Sequence, residues 1–358
     1  MKNPVTPQDF GAVGNGKADD TGAFQKAVDS GFDVYVPTAR RETYLITKPI
    51  RITKTQCKRI YSEPFARLSD YGAIIADFSG SDSPKATPLF DVGICSLRIG
   101  GLRVMSRAVN GHRAGVMISA MDESVCDYDI RIEHCAVKNF YRIACFTGRG
   151  LEISSSTIGS CNHIAELHWN NDADTNKNHP AEFDQRGISI KNCRLHGITS
   201  SFLTVKSGHA YGLHFEGNTI DNGRGYLVRA YGQAWGWNIS GNVVQGINGD
   251  FAVMDFRKGM RNCVISGNTF LSDRGYWIGS DGTVDTWLKC GGDTSGCIIM
   301  GNAFKNAKTG FMSFNNLVDS VIIGNVMQDD TESTPTGITV KGKNLNTAIL
   351  ANQRGLTT

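Results

Sequence analysis

One short strand recurs along this chain. From Ile99 onward the sequence repeats an apolar residue, any residue, a small or polar residue, most often Asn, Cys or Ser, any residue, and a second apolar residue. It reads IGGLRV at 99–104, IEHCAV at 132–137, ISSSTI at 153–158, IKNCRL at 190–195 and FEGNTI at 215–220. It continues as ISGNVV at 239–244, ISGNTF at 265–270, IMGNAF at 299–304, IIGNVM at 322–327 and a frayed ILANQR at 349–354. The compact spacings between starts are 21 to 27 residues, too long for a hairpin meander and right for one turn of a stacked β-coil. Strict alternation would not keep both apolar ends of the strand inside, so a bend is expected at the fourth position. There Asn218, Asn242, Asn268, Asn302, Asn325 and Asn352 recur. Coils stacked about 4.8 Å apart would let these amides bond as a ladder, with Gly217, Gly241, Gly267, Gly301 and Gly324 supplying permissive backbone before them. The expected fold is all-β, a right-handed single-stranded parallel β-helix with Ile190, Phe215, Ile239, Ile265, Ile299 and Ile322 in one buried column.

The N-terminal run has a different grammar. Residues 5–52 read as strand, Gly-rich turn, helix, strand and strand, with Asp20 or Thr21 capping a helix that carries Ala23, Phe24, Ala27 and Val28 on one face. Ser30 and Gly31 end it. A helix there would cover the first coil, whose open end is otherwise an unpaired sheet edge. The expected organisation is a capping region over 1–52 and a β-helix over 53–358.

Bulk properties narrow the function. A net charge of +3 gives no electrostatic reason to expect nucleic acid. Of the ten cysteines, Cys135 and Cys193 fall on the ladder position, and Cys263 and Cys297 sit two residues before the repeat's Ile; they read as stacked small apolar thiols. No CxxC pair marks a metal, and no metal or cofactor is expected. The start MKNPVTPQDF has no apolar signal region, and no stretch is long enough to span a membrane. Synthesis in a reducing cytoplasm is expected, with no membrane insertion.

Three spacings are long: 99 to 132, 153 to 190 and 265 to 299. Insertions at 160–187 and 271–286 are expected to leave one corner of the coil about three coils apart, roughly 15 Å, forming a groove with end walls. Its floor would expose His196, Asp221, Asn222, Arg224, Gln245, Asn248 and Asp250. The next strands read FLTVK, YLVRA, FAVMD and TWLKC, stacking Lys206, Arg229, Asp255 and Lys289. A carboxylate between two cations stays ionised, which suits a base or nucleophile. Glycoside cleavage needs two carboxyls, and Asp221, Asp250, Asp255, Asp184, Glu182, Asp281 and Asp285 are the candidates. Glu133 and Glu216 read as structural, the latter paired with Lys191 across strands. Aromatic residues crowd the same half, among them Tyr231, Trp235, Trp237 and Trp277, and flat rings stack on the C–H faces of sugars.

The segment DFGAVGNGKADDTGAFQKAV at 9–28, followed by VYVP and YLI, resembles the N-terminal signature of the pectate-lyase-like superfamily, which contains phage tailspike depolymerases, polysaccharide lyases and glycoside hydrolases. The motif covers 9–52, and the coil repeat extends the likeness to about 352. It is specific for fold and not for activity. The polygalacturonase set is not reproduced in order, Gly208-His209-Ala210 being nearest to its Gly-His-Gly, which disfavours that activity. The resemblance implies an endoglycosidase that binds and hydrolyses a bacterial capsule or O-antigen at the cell surface, as part of a phage particle's tail. The alternatives are a lyase acting on a uronic-acid polymer and a non-catalytic receptor-binding protein. It also implies a parallel homotrimer, and Leu227, Val253, Trp287 and Phe311 would form an outward apolar stripe for the subunit contact.

Overall fold

The computed structural model describes residues 3–37, 43–53, 58–63, 73–94, 96–121, 127–168, 185–206, 210–247, 249–272, 284–329 and 336–356. They fall in two compact units, Met1–Asn170 and Asn171–Thr358. Each is a parallel β-helix of the expected all-β class, with three strands per coil. In the first unit, sheet 1 pairs strands such as Ser96–Gly100, Asp127–Glu133 and Arg149–Ser154. Sheet 2 runs through Arg103–Ser106, Ala136–Lys138 and Thr157–Gly159, and sheet 3 through Val116–Ala120, Arg142–Phe146 and His163–Leu167. The second unit repeats the order: Ile188–Lys191 and His214–Glu216 open its sheet 1, Arg194–His196 and Thr219–Asp221 its sheet 2, Ser201–Val205 and Tyr226–Ala230 its sheet 3. Among the described residues no helix is long and apolar enough to cross a membrane.

Each repeat strand is two strands joined at a bend that spans the third and fourth positions. The third residue sits in the left-handed region: Gly217 at φ +63°, Gly241 at +63°, Gly267 at +61°, with Asn192 at +53° and Ala351 at +51° where glycine is missing. At Gly217 a side chain would also collide, its Cβ falling 2.5 Å from Asn192 Oδ1. The fourth position points inward. Asn218, Asn242, Asn268, Asn302 and Asn325 are buried, and each Nδ2 donates to the Oδ1 of the next asparagine at 2.9 Å, ending on Asn352. The same Oδ1 accepts the backbone N–H of the asparagine one coil back, at 3.0 to 3.1 Å. The second Nδ2 hydrogen reaches back to a repeat-strand carbonyl, as from Asn268 to Ile239 at 2.8 Å. Every polar group these amides bring inside is therefore matched.

The expected columns form around this ladder. Ile190, Phe215, Ile239, Ile265, Ile299 and Ile322 are register partners and all buried. Leu195, Ile220, Val244, Phe270, Phe304 and Met327 line up beneath sheet 2, with Phe270 stacked on Phe304 at 5.0 Å. The thiols behave as core: Cys135 and Cys193 are buried on the ladder row, each donating to a carbonyl at 3.3 Å. Burial pushes the Cys135 and Cys161 thiols up to about 12.

The helix forms over Thr21–Asp29 with Phe24, Ala27 and Val28 buried, and Ser30 closes it before Gly31 at φ +76°. Asp20 occupies the N-cap position, but its carboxylate accepts from Val13 N at 2.7 Å and Gly14 N at 3.2 Å, so it ties down the Gly-rich turn instead of the helix. The helix lies against Thr43–Ile46 and Ile50–Ile52. Gln25 Nε2 donates to Arg51 O at 2.9 Å and Arg51 N donates to Gln25 Oε1 at 2.8 Å. One side-chain amide thus stands in for a neighbouring strand at the sheet edge.

One expectation fails here. Leu227, Val253, Trp287 and Phe311 are fully buried, because the sheet 3 strands tuck two consecutive residues inward at their own bend, as Leu227 and Val228 do. The outward stripe is core, and the subunit contact argued from it falls with it. Exposed apolar side chains lie instead on sheet 1, where Ile298 is 39%, Met300 45% and Leu350 56% exposed, and on sheet 2, where Val243 and Val326 are each 41% exposed. Of the expected insertions 160–187 and 271–286, residues 163–167 and 284–286 belong to sheet 3 strands, and 169–184 and 273–283 lie outside the described residues.

Two outcomes follow for stability. Ile265→Asp should yield no cooperatively folded protein, because an unpaired buried carboxylate costs several kcal/mol; a soluble variant with a sharp melting transition would remove the column alignment. Asn268→Ala should cost on the order of 3 kcal/mol, because it orphans the backbone and side-chain donors of Asn242 together. Chemical denaturation measures this, and a loss under about 1 kcal/mol would mean the ladder is decoration.

Candidate functional site

The outer face of sheet 3 in the second unit carries a row of charged and aromatic side chains. Register partners across successive coils are Thr204, Arg229, Asp255, Lys289 and Ser313. The row matches the expected one except at its start. Lys206 lies just beyond the strand Ser201–Val205, exposed, and Thr204 takes the position two residues earlier. Asp255 is half-buried and pairs with Arg257 through Nε and Oδ2 at 3.3 Å. Arg229 lies over the Tyr226 ring at 4.5 Å and the Tyr231 ring at 5.0 Å, and Arg257 lies over Tyr231 at 4.5 Å. Tyr231 is thus covered by guanidinium groups rather than open as a platform. Stacking uses the flat face of a guanidinium and leaves its in-plane N–H donors for an acceptor.

A second, shorter column flanks this one. Tyr211, Trp235 and Arg261 are register partners, the two rings 5.3 Å apart and Arg261 5.0 Å from the indole. Trp235 Nε1 donates to Gln233 Oε1 at 3.0 Å. Trp237 is not part of the surface: it is buried, packs edge-on against Phe256, and donates from Nε1 to Ala210 O. Two residues apart in one strand they would share a face; Gly236 between them, at φ +62°, turns the chain so that Trp235 stays outward and Trp237 points inward.

The expected floor lies on sheet 2. His196, Asp221 and Gln245 are register partners and half-buried, and Asp221 Oδ2 is 3.7 Å from Arg194 Nη2. Arg224 is exposed in the turn that follows. This column stands on a different sheet from Asp255. Asp285 is held by Thr309 Oγ1 at 2.5 Å and Thr286 Oγ1 at 3.3 Å. Asp184, Glu182, Asn248, Trp277 and Asp281, together with the side chain of Asp250, lie outside the described residues. Glu216 is structural as expected: Lys191 Nζ is 3.2 Å away and His214 Nδ1 2.9 Å. Burial pushes its carboxyl up, but the hydrogen bonds from His214 and Lys191 outweigh that and hold it below its ordinary value. Glu133 is likewise paired, with Arg98 at 3.3 Å.

The first unit holds a polar cluster that the repeat pattern does not announce. On sheet 3, Cys145 and Glu166 are register partners, as are Arg142 and His163. The Glu166 side chain is only 1% exposed although it stands on the outer row, and Arg142 Nε contacts its Oε2. His168 Nε2 is 3.6 Å from the same oxygen, and His163 Nδ1 is 3.8 Å from Oε1. Tyr141 packs edge-on against His163 and lies under both Arg142 and Lys85. A buried carboxylate ringed by a guanidinium and two imidazoles has the composition of a functional centre. In sequence its only sign is HIAELHW at 163–169, where three chemistry-bearing residues share one strand.

No protein-family model matches the chain, and no curated protein matches it either. Among solved structures, the bacteriophage phi29 gene product 12 in its pre-mature form superposes with a TM-score of 0.55 at 13% identity, over 97% of this chain and 52% of that one. Tailspike protein 3 of bacteriophage CBA120 gives 0.55 at 15% identity, over 99% and 59%. The tailspike protein of Acinetobacter phage vB_ApiP_P1 gives 0.57 at 10% identity, over 99% and 63%. The chain spans between about half and two thirds of the length of these proteins. At such identities the likeness is one of fold, and the chain shares its coiled parallel-sheet architecture with phage tailspike proteins.

Proposed function

We propose that this chain binds an acidic bacterial surface polysaccharide, capsule or O-antigen, along sheet 3 of its second unit, and hydrolyses it as a phage tail depolymerase of the pectate-lyase-like kind. The observation that carries this reading is the row Arg229, Asp255 and Lys289 with Arg257, Tyr226 and Tyr231 packed into it. Guanidinium groups packed over rings are held in place to take the carboxylates of an acidic sugar. The shared fold with phage tailspikes supports the setting by analogy only. Asp255 would be the ionised carboxylate. Its partner acid would be Asp221, Asp250 or Asp184.

A second reading is elimination. Asp255 has cations above and below it in the row, and a polysaccharide lyase needs cations to neutralise the uronate while a base takes the proton. The products separate the two. Incubation with a panel of purified acidic capsular and O-antigen polysaccharides should release new reducing ends without the ultraviolet absorbance of an unsaturated sugar. Asp255→Asn should abolish turnover at an unchanged melting temperature. Arg229→Ala should weaken binding about tenfold, less at high salt. Absorbing products would establish the lyase, tight binding of intact polymer would leave a receptor-binding protein, and failure to bind any member of the panel would overturn the proposal.

A further inference from the structure

The geometry points to a divalent transition-metal site in the first unit, formed by Cys145, Glu166 and His168 and suited to zinc. One ligand atom from each of the three lies within 4.8 Å of the others. They come from adjacent paired strands: Cys145 and Glu166 are register partners, and His168 follows Glu166 by two, on the same side of the chain. His168 N donates to Phe146 O at 2.9 Å, so the pairing continues past the strand end and fixes the place of the imidazole. Ligands carried on rigid paired strands need little reorganisation to close on an ion.

The donor set is a thiol, an imidazole and a carboxylate. That mixture of soft, intermediate and hard atoms is the one zinc accepts, and calcium or magnesium would not take the sulfur. Metal bonds of about 2.0–2.3 Å in a tetrahedron place ligand atoms roughly 3.3–3.8 Å apart. His168 Nε2 and Glu166 Oε2 already stand 3.6 Å apart. Three protein ligands leave a fourth position open, and the His168 side chain is 30% exposed. Binding takes up one ion and releases the Cys145 thiol proton to solvent. Arg142 is the ion-pair partner that lies against Oε2 beside the ligand set. His163, 3.8 Å from Oε1, stands behind the ligand carboxylate as its outer partner.

The ion would tie one coil to the next, and it is independent of the polysaccharide reading. Cobalt(II) serves as the probe, because a cobalt–thiolate bond gives a charge-transfer band that other ligands do not. Titration of the full chain, stripped of metal with a chelator, should show one cobalt bound with that band and displaced by one zinc. Cys145→Ser should lose the band, His168→Ala should weaken binding by at least tenfold, and His163→Ala by about tenfold as an outer partner. Cys161→Ser, a buried thiol of the same unit, should change nothing. His168 is partly exposed, so its variant is expected to fold, as circular dichroism will check. No cobalt bound at micromolar concentration, or a band that survives Cys145→Ser, would overturn the site.

Discussion

The second unit is organised around one buried hydrogen-bonded row, the asparagine ladder. An amide in an apolar interior is costly unless all its donors and acceptors are met, and a ladder of identical amides one coil apart meets them only when successive coils share a register. The asparagines therefore set the alignment of the hydrophobic columns beside them. A slip of one residue would expose the apolar set and break two hydrogen bonds per coil at once. The glycine before each of the five buried asparagines is the backbone condition for this, since it takes the left-handed turn that aims the amide inward.

A scaffold that fixes its interior so tightly leaves the outer rows free to vary. The two polar places described above use that freedom differently. In the second unit cations and rings alternate along an outer face, with one half-buried carboxylate among them, an arrangement suited to the extended acidic ligand proposed above. In the first unit four side chains close over one glutamate and shield it from water, an arrangement that holds a single small partner. Both stand on sheet 3, whose strands are the longest in the second unit, and so offer the most positions per coil.

The fold was legible because it is written once per coil. Ile265, Asn268 and Phe270 can be placed from sequence alone, since the same three roles recur at fixed spacing. The helix at Thr21–Asp29 was legible too, although Asp20 uses its carboxylate on the preceding turn, a choice set by tertiary contacts. The site was less legible. Arg229, Asp255 and Lys289 align as read, but Lys206 is two residues off, because the strand ends at Val205 and nothing in the repeat marks that end. Leu227, Val253, Trp287 and Phe311 were assigned outward by strict alternation, which a bent strand does not obey. Glu166 was invisible for a different reason. Its partners Cys145 and Arg142 come from the previous coil, and a pairing across 21 residues leaves no local motif.

The buried thiols give the molecule a built-in set of reporters. Cys135, Cys161, Cys193, Cys263, Cys290 and Cys297 are shut inside, and a modifying reagent reaches each only when its own coil opens. Because a solenoid is held together by nearest-neighbour contacts, coils need not open together. The order in which these six sulfurs react with an alkylating agent under native conditions would therefore trace, position by position, where the coil begins to unwind and how far the opening spreads.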